Sequence, residues 1–171
     1  QLSWMLALGA ALLFFGSVLA HEMAHSLVAQ ARGVPVRSIT LFLFGGVSNI
    51  QREPETPQGE FVMAILGPVT SLVLGGILLM IAGAIAGPIT GGMLNPGNVV
   101  GQLSPLSTLI FWLGSVNVVL GIFNLTPAFP LDGGRVLRSI FWAATDSLRK
   151  ATRWATWILS LIHISEPTRL L

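Results

Sequence analysis

The chain has 171 residues, of which 53% are hydrophobic and 9% are charged, whereas soluble domains carry about 25% charged residues. This composition argues against an ordinary soluble domain and indicates a membrane protein. The net charge is +2, and the basic residues are scattered beside apolar segments without interleaved aromatic residues, so nucleic acid is not an expected partner. Because the chain contains no cysteine, histidine and carboxylate groups are the strong metal ligands available to it.

The first predicted element is a transmembrane helix over about residues 2–31. An uncharged run from Leu2 to Ala20 is followed by polar residues near the helix end, and Pro35 prevents the helix from continuing. The next segment, Val36 to Ile50 (VRSITLFLFGGVSNI), is rich in β-branched and aromatic residues and is too short to cross a bilayer as a helix. We therefore predict a small membrane-associated β-hairpin after the first span.

Two more spans are predicted within a long uncharged region. From Phe61 to Leu131 the sequence has 71 consecutive residues without Asp, Glu, Lys, Arg or His. We expect one span over about 61–86 and another over about 106–125, separated by a turn rich in Gly, Pro and Asn. The segment 51–60 before them carries charges and prolines, which is typical of a solvated loop.

The region after the third span is predicted to be irregular at first. Thr126 to Gly134 (TPAFPLDGG) contains two prolines and two glycines and is expected to be non-helical. Arg135 to Arg153 alternates apolar and basic residues, as expected of a segment along the membrane interface, and a truncated span is expected from Trp154. The ending Leu161 to Arg169 (LIHISEPTR) can be encoded by a transposase sequencing adapter, so we expect residues 161–171 to be a non-native tail.

These elements predict an all-α polytopic membrane protein, a helical transmembrane bundle that carries one small β-hairpin. The basic residues predict its orientation, because eight of the nine follow the first or the third span and none lies in the uncharged turn. By the positive-inside rule both of these exits are cytoplasmic. The eight residues are Arg32, Arg37, Arg52, Arg135, Arg138, Arg149, Lys150 and Arg153.

Three ionisable residues lie within five positions of the first helix. His21, Glu22 and His25 spell HEMAH, the H-E-x-x-H pattern of zinc metalloproteases. Residues four apart share a helix face, so both imidazoles can reach one ion with Glu22 beside it as a general base. Zinc with three protein ligands keeps a fourth position for water and lowers the pKa of that water. The alternative, a buried hydrogen-bonded cluster or polar residues at a helix end, is less favoured because ionisable residues within a span are energetically unfavourable.

A third metal ligand is required, and the acidic candidates are Glu53, Glu55, Glu60, Asp132 and Asp146. The three glutamates fall in the predicted loop, where solvated charge accounts for them. Asp146 lies near Arg149, where a surface salt bridge suffices. Asp132 is the best candidate because it follows a proline-broken span that returns to the membrane face where the histidine helix ends. Its alternative role is that of a turn-forming residue before Gly133.

Three motifs in this order resemble those of the site-2 protease family of intramembrane zinc metalloproteases: HEMAH at 21–25, the pair Gly45 and Gly46, and FNLTPAFPLDGGR at 123–135. The resemblance implies that one zinc ion is bound by two histidines and an aspartate and that the glutamate of HEMAH is the catalytic base. In this sequence the ligands are His21, His25 and Asp132, and the base is Glu22.

The resemblance also implies roles for residues outside the metal-binding motifs. Asn124, the asparagine of the N-x-x-P-x-x-P-L-D-G pattern, would polarise the scissile carbonyl or its oxyanion; by itself it fits a helix-end residue with a backbone hydrogen bond equally well. Gly45 and Gly46 are predicted to bind substrate, since a hairpin edge can accept an unwound peptide by strand addition. The short turn leaves no room for a PDZ domain, so the chain resembles the PDZ-lacking branch, some members of which carry CBS domains after the core.

The implied function is zinc-dependent hydrolysis of peptide bonds in or beside transmembrane helices, as in regulated intramembrane proteolysis. Residues 1–160 would form the metalloprotease core of a truncated fragment that lacks the family's preceding helix. Expected partners are single-span membrane protein substrates and the lipid bilayer, in the cell membrane with the active site toward the cytoplasm; the sequence predicts no oligomeric state. Two alternatives remain: a metal or proton transporter that uses the same His/Asp cluster, for which Glu22 as a base has little use, and a pseudoprotease that only binds helices.

Overall fold

The computed structural model describes residues 2–33, 36–42, 45–50, 55–86 and 103–163. Five helices and two strands lie within these ranges. In chain order they are α1 Leu2–Ala31, β1 Val36–Phe42, β2 Gly45–Ile50, α2 Pro57–Ala86, α3 Pro105–Asn124, α4 Asp132–Thr145 and α5 Leu148–His163.

Three of these helices are long and apolar enough to cross a membrane, namely Trp4–Ala31, Pro57–Ala86 and Pro105–Asn124. Large apolar side chains point outward from them: Met80 on α2 is 69% exposed and Val119 on α3 is 64% exposed. A surface of this kind is stable in a lipid environment, where helices satisfy their own backbone hydrogen bonds. The chain is therefore a helical membrane protein, which confirms the prediction from composition.

Helix α2 is the centre of the fold, because α1, α3 and α4 all pack against it. Its contact with α3 runs through glycines. A Cβ atom added to Gly75 would lie 2.8 Å from the carbonyl oxygen of Gly114, and one added to Gly121 would lie 3.0 Å from the carbonyl oxygen of Pro68. Backbones that approach this closely associate through van der Waals packing, which is the main attraction between helices in lipid. α2 thus serves as the frame that positions the other helices.

The segment between α3 and α4 differs from the prediction at one end. It was expected to be non-helical as far as Gly134, but α4 begins at Asp132. The prolines do break the helix, whereas both glycines fit the first turn of the next one, and a carboxylate at that end is favoured by the helix dipole. Gly133 is required there because an added Cβ would overlap the carbonyl oxygens of Leu125 and Thr126.

The region expected to lie along the interface, residues 135–153, is divided between two helices. Asp146 ends α4 in the left-handed conformation with φ 47°, and α5 begins at Leu148, six residues before the expected start of a fourth span at Trp154. Among the described residues α5 is not one of the helices long and apolar enough to cross. The fourth span stays a prediction, and residues 164–171 of the suspected tail lie outside the described residues.

Strands β1 and β2 pair antiparallel, with Leu41 opposite Gly46 and Phe42 opposite Gly45, and both pack on α1. Residues 43–44 between them and residues 87–102 of the uncharged turn lie outside the described residues. The membrane-associated hairpin as a whole, with its turn and its place at the membrane surface, stays a prediction.

Candidate metal centre

Three ionisable side chains converge where α1 lies beside the start of α4. His21 and His25 share one face of α1, and each is only 4% exposed. Their Nε2 atoms are 3.3 Å apart. Oδ2 of Asp132 is 3.1 Å from Nε2 of His21 and 3.2 Å from Nε2 of His25. The structure therefore brings together residues 111 positions apart in the chain, and this group could hold a metal ion.

The two imidazole rings are oriented by contacts with α2. Nδ1 of His25 is 2.6 Å from the carbonyl oxygen of Met63. A carbonyl can only accept, so this Nδ1 carries the proton and the Nε2 of the neutral ring turns its lone pair toward the cluster. Nδ1 of His21 is 2.9 Å from the hydroxyl of Ser71. Such partners on the second nitrogen are what fix the rings of metal-binding histidines.

The chemistry of the three inward-facing atoms fits a cation. Two imidazole nitrogens and one carboxylate oxygen, separated by 3.1 to 3.3 Å, repel one another unless positive charge, from protons on the rings or from a metal ion, lies between them. Ligand atoms at zinc distances of 2.0–2.2 Å in a tetrahedral site stand about 3.3 to 3.6 Å apart, which the observed separations approach. Nitrogen and oxygen ligands of this kind suit zinc, so the residues fit the metal that the resemblance implies.

Gly67 of α2 makes room for the rings. A Cβ atom added at this position would overlap Nε2 and Cε1 of His25 and would lie 2.8 Å from Nε2 of His21. The histidine edges that face the cluster thus rest directly on the backbone of α2. No residue with a side chain can occupy position 67 without moving the rings.

Asp132 reaches the cluster from the first residue of α4, and its side chain is 14% exposed. Burial alone would raise the pKa of this carboxyl group, but hydrogen bonds with His21 and His25 and attraction to their charge outweigh burial and lower the pKa to about 2. Asp132 is therefore ionised at neutral pH. With a metal bound, the carboxylate would supply negative charge that neutralises part of a divalent cation.

Glu22 follows His21 on α1 and is half-buried. Its position one residue along the helix rotates it about 100° from His21, so it flanks the histidine face and is not part of it. This is where a general base next to a metal-binding pair would stand. The catalytic role of Glu22 stays a prediction.

The predicted roles of the remaining residues are not linked to the metal centre by the contacts described for them. The amide nitrogen of Asn124 donates to the carbonyl oxygen of Leu120 at 3.0 Å, which is the helix-end hydrogen bond that the sequence left as its alternative role. Gly45 and Gly46 open strand β2. Oxyanion stabilisation by Asn124 and substrate binding by the two glycines stay predictions.

The structure corrects the interpretation of Glu60 as a solvated loop residue. Helix α2 begins already at Pro57, and Glu60 in its first turn is 0% exposed. Oε1 of Glu60 accepts from Nε of Arg138 at 2.8 Å and from Nη2 of the same guanidinium. The partner lies 78 residues away, so local composition could not reveal it. Of the other acidic candidates, Glu55 and Asp146 are exposed, and Glu53 lies outside the described residues.

Three residues of α2 that surround the rings were not predicted from the sequence, namely Met63, Gly67 and Ser71. They recur every four residues and therefore share one face of α2. The signal that could have pointed to them is a small and polar stripe, Gly67 and Ser71, within an otherwise apolar span. The carbonyl of Met63 leaves no such signal, because it is a backbone group.

A family model described as Peptidase family M50 matches residues 9–164. The chain belongs to peptidase family M50. This confirms the resemblance to the site-2 proteases and identifies the chain as a member of a metalloprotease family, and a transporter is not favoured. M50 membership also agrees with the apolar helices that place the chain in a lipid environment.

Relatives of this M50 chain carry zinc metalloprotease names. A protein of Synechocystis sp. with a provisional name of this kind is 45% identical over 147 residues, which cover 86% of this chain and 35% of that protein. A Mycobacterium tuberculosis protein, also provisionally named, is 42% identical over 147 residues, covering 85% and 34%. A zinc metalloprotease of Methanocaldococcus jannaschii is 37% identical over 129 residues, covering 75% and 33%. The chain thus spans about one third of the length of these relatives.

A solved structure shares the fold of this M50 chain. The site-2 protease from Methanocaldococcus jannaschii superimposes with a TM-score of 0.61 at 35% sequence identity, covering 86% of this chain and 60% of that one. The helical arrangement that joins the HEMAH helix to the LDGG segment is therefore that of a site-2 protease.

Proposed function

We propose that this chain is the core of a zinc-dependent intramembrane endopeptidase, which hydrolyses peptide bonds in or beside transmembrane helices. The observation that carries the proposal is the convergence of three ligand atoms within 3.3 Å of one another, beside a glutamate on the same helix. One zinc ion would be held by His21, His25 and Asp132. When bound, it would supply Lewis acidity to the scissile carbonyl and a lowered pKa to the attacking water.

Residues of the chain itself orient the metal ligands and transfer the proton. His25 holds its proton at Nδ1 against the carbonyl of Met63, which keeps its Nε2 available as a ligand. The carboxylate of Glu22 accepts a proton from water as the water attacks the scissile carbon. The same carboxyl then delivers the proton to the leaving amide nitrogen as the carbon–nitrogen bond breaks.

The depth of the centre supports cleavage within the membrane. His21 and His25 lie inside the span Trp4–Ala31, and Glu22 lies roughly 15 Å along the helix before Arg32. A substrate helix must unwind locally to be cut, because its carbonyls are occupied by intrahelical hydrogen bonds. The pair β1 and β2 packs on α1. Strand β2, which begins with Gly45 and Gly46, would offer backbone groups at its edge to an unwound substrate segment.

The proposed setting is a multi-pass protein of the cell membrane with the active site toward the cytoplasm. This orientation rests on the basic residues after α1 and α3. Single-span membrane proteins are the proposed substrates, because one isolated helix can enter between membrane helices and unwind more readily than a helix packed within a bundle. Cleavage of such substrates would make the protein an agent of regulated intramembrane proteolysis.

The decisive experiment separates metal binding from proton transfer. Glu22→Gln keeps the shape of the side chain but removes the base, so we expect this variant to bind one zinc per chain and to lose cleavage of a single-span substrate, by at least about 100-fold for the loss of a general base. His25→Ala should lose both zinc and cleavage. Glu55→Gln, the same change at an exposed position, is the matched control and should retain both. Undiminished cleavage by Glu22→Gln would refute the proposal.

A further inference from the structure

Helix α4 carries Asp132 to the histidines of α1, but α4 packs along α2 and has few contacts with α1 among the described residues. The rings of the histidines rest on α2 as well, at Gly67. The distance between the carboxylate and the imidazoles therefore depends on how α4 lies along α2. Any sliding or rotation of α4 on α2 would move the third ligand away from the other two.

Contacts along α4 define this alignment at intervals of one turn. At the metal centre, Asp132 meets the rings that lie over Gly67. One turn further along α4, Nη2 of Arg135 donates to Sδ of Met63 at 3.7 Å. Met63 is also the residue whose carbonyl oxygen accepts from Nδ1 of His25. The same stretch of α2 thus touches both the histidine side and the aspartate side of the centre.

The last of these contacts is the ion pair between Arg138 and Glu60, another turn along. Along α4, the distance from Asp132 at the metal centre to Arg138 at the ion pair is about 9 Å. Along α2, which runs antiparallel to α4, the distance from Gly67 at the metal centre to Glu60 at the ion pair is about 10.5 Å. These nearly equal lengths let the metal centre and the ion pair hold the two antiparallel helices at two separate points. Two fixed points determine both the register and the rotation of α4, whereas one point leaves rotation open.

The burial of the ion pair makes its separation unfavourable. The side chain of Glu60 is 0% exposed and that of Arg138 is 14% exposed, so water screens their attraction weakly. Oε2 of Glu60 has no hydrogen-bond partner among the residues that the structure describes. Displacing Arg138 would leave a buried carboxylate without its counter-charge, which is strongly unfavourable.

We propose that Glu60 and Arg138 are positioning residues for the metal centre: their ion pair holds α4 in the register that brings Asp132 within reach of His21 and His25. Neither residue contacts the metal, and both act through the placement of Asp132. The inference rests on the proposed zinc site. A positioning pair differs from an ion pair that only adds stability, because breaking a positioning pair must change the affinity of the folded protein for metal.

The test measures zinc affinity of the purified chain by competition with a chelator, together with the visible absorption of the cobalt-substituted protein, which reports ligand geometry. Glu60→Gln and Arg138→Met should each weaken zinc binding, by up to about 10- to 100-fold if the loss of placement of Asp132 equals the loss of a direct partner of a metal ligand, and should alter the cobalt spectrum. Arg138→Lys, which keeps the charge without the forked geometry, should give a smaller loss. Glu55→Gln and Arg149→Met, the same changes at exposed positions, should leave both readouts unchanged.

A stability control separates positioning from general destabilisation. Leu113→Ala creates a cavity on α3, which contributes no ligand, and should lower the thermal midpoint without weakening zinc binding. The double variant Glu60→Gln/Arg138→Met should bind zinc no more weakly than Arg138→Met alone, because both changes break one interaction. Wild-type zinc affinity in folded Glu60→Gln would overturn the inference, and this near-isosteric variant decides the question even where Arg138→Met does not fold. Absence of zinc binding by the wild-type chain would instead refute the metal centre itself.

Discussion

Replacing Gly67 by alanine adds a single methyl group at the centre of the proposed site. The methyl would lie 2.8 Å from Nε2 of His21 and would overlap the ring of His25. An ordinary carbon–nitrogen contact is about 3.4 Å, so the His21 ring must retreat by about 0.6 Å and the His25 ring by more. Zinc–ligand distances tolerate about 0.2 Å. The shift exceeds that tolerance on both histidines.

We therefore expect Gly67→Ala to reduce zinc content from one ion per chain to less than about a tenth, with cleavage lost in parallel. Metal analysis of the purified protein, with circular dichroism to verify its helix content, is the assay. Gly76→Ala on the same helix is the matched control, because an added Cβ there meets nothing within 4 Å. Full zinc occupancy in Gly67→Ala would show that the rings do not bind metal where they rest on α2.

Two further predictions concern the partners of the ligands and the metal itself. Ser71→Ala removes the hydroxyl at 2.9 Å from Nδ1 of His21 and should weaken zinc affinity about 10-fold, as measured by chelator competition; an unchanged affinity would show that Ser71 does not hold the ring. A chelator should lower the thermal midpoint of the wild type, because zinc at 100 times its dissociation constant stabilises the fold by about 2.7 kcal/mol. Asp132→Asn, whose neutral amide is a weak ligand, should show a much smaller chelator effect, and an equal effect in both proteins would place the stabilising metal elsewhere.

The parts of the fold that the sequence predicts are those set by local composition. A bilayer requires about 20 apolar residues per helix, and the uncharged runs around α1, α2 and α3 meet that requirement without reference to the rest of the chain. The histidine pair is equally local, since four-residue spacing on any helix puts two side chains on one face. Asp132 could be chosen as the candidate for the third ligand from the local sequence. It follows a span that is broken by prolines and that returns to the membrane face where the histidine helix ends.

The parts that the sequence does not predict depend on contacts between distant segments. Glu60 resembled a loop residue because prolines and charges precede it, and only the arginine 78 positions later explains its burial. The helical state of Asp132 depends on Gly133, which lets the first turn of α4 pack on the end of α3. Gly67 gives no sign in the sequence that two rings rest on it, because a glycine in a membrane helix more often serves helix packing alone.

The 111 positions that separate the histidine opening the HEMAH motif from the aspartate proposed to complete the ligand set have a consequence for biogenesis. A ribosome adds about 5 to 20 residues per second, so the two imidazoles leave it about 6 to 22 s before their carboxylate partner. Throughout that interval the nascent chain would have only two of the three proposed ligands. On the proposed function, we therefore expect the metal centre to stay incomplete while the chain is being inserted, and to be completed only after Asp132 has folded against the bundle.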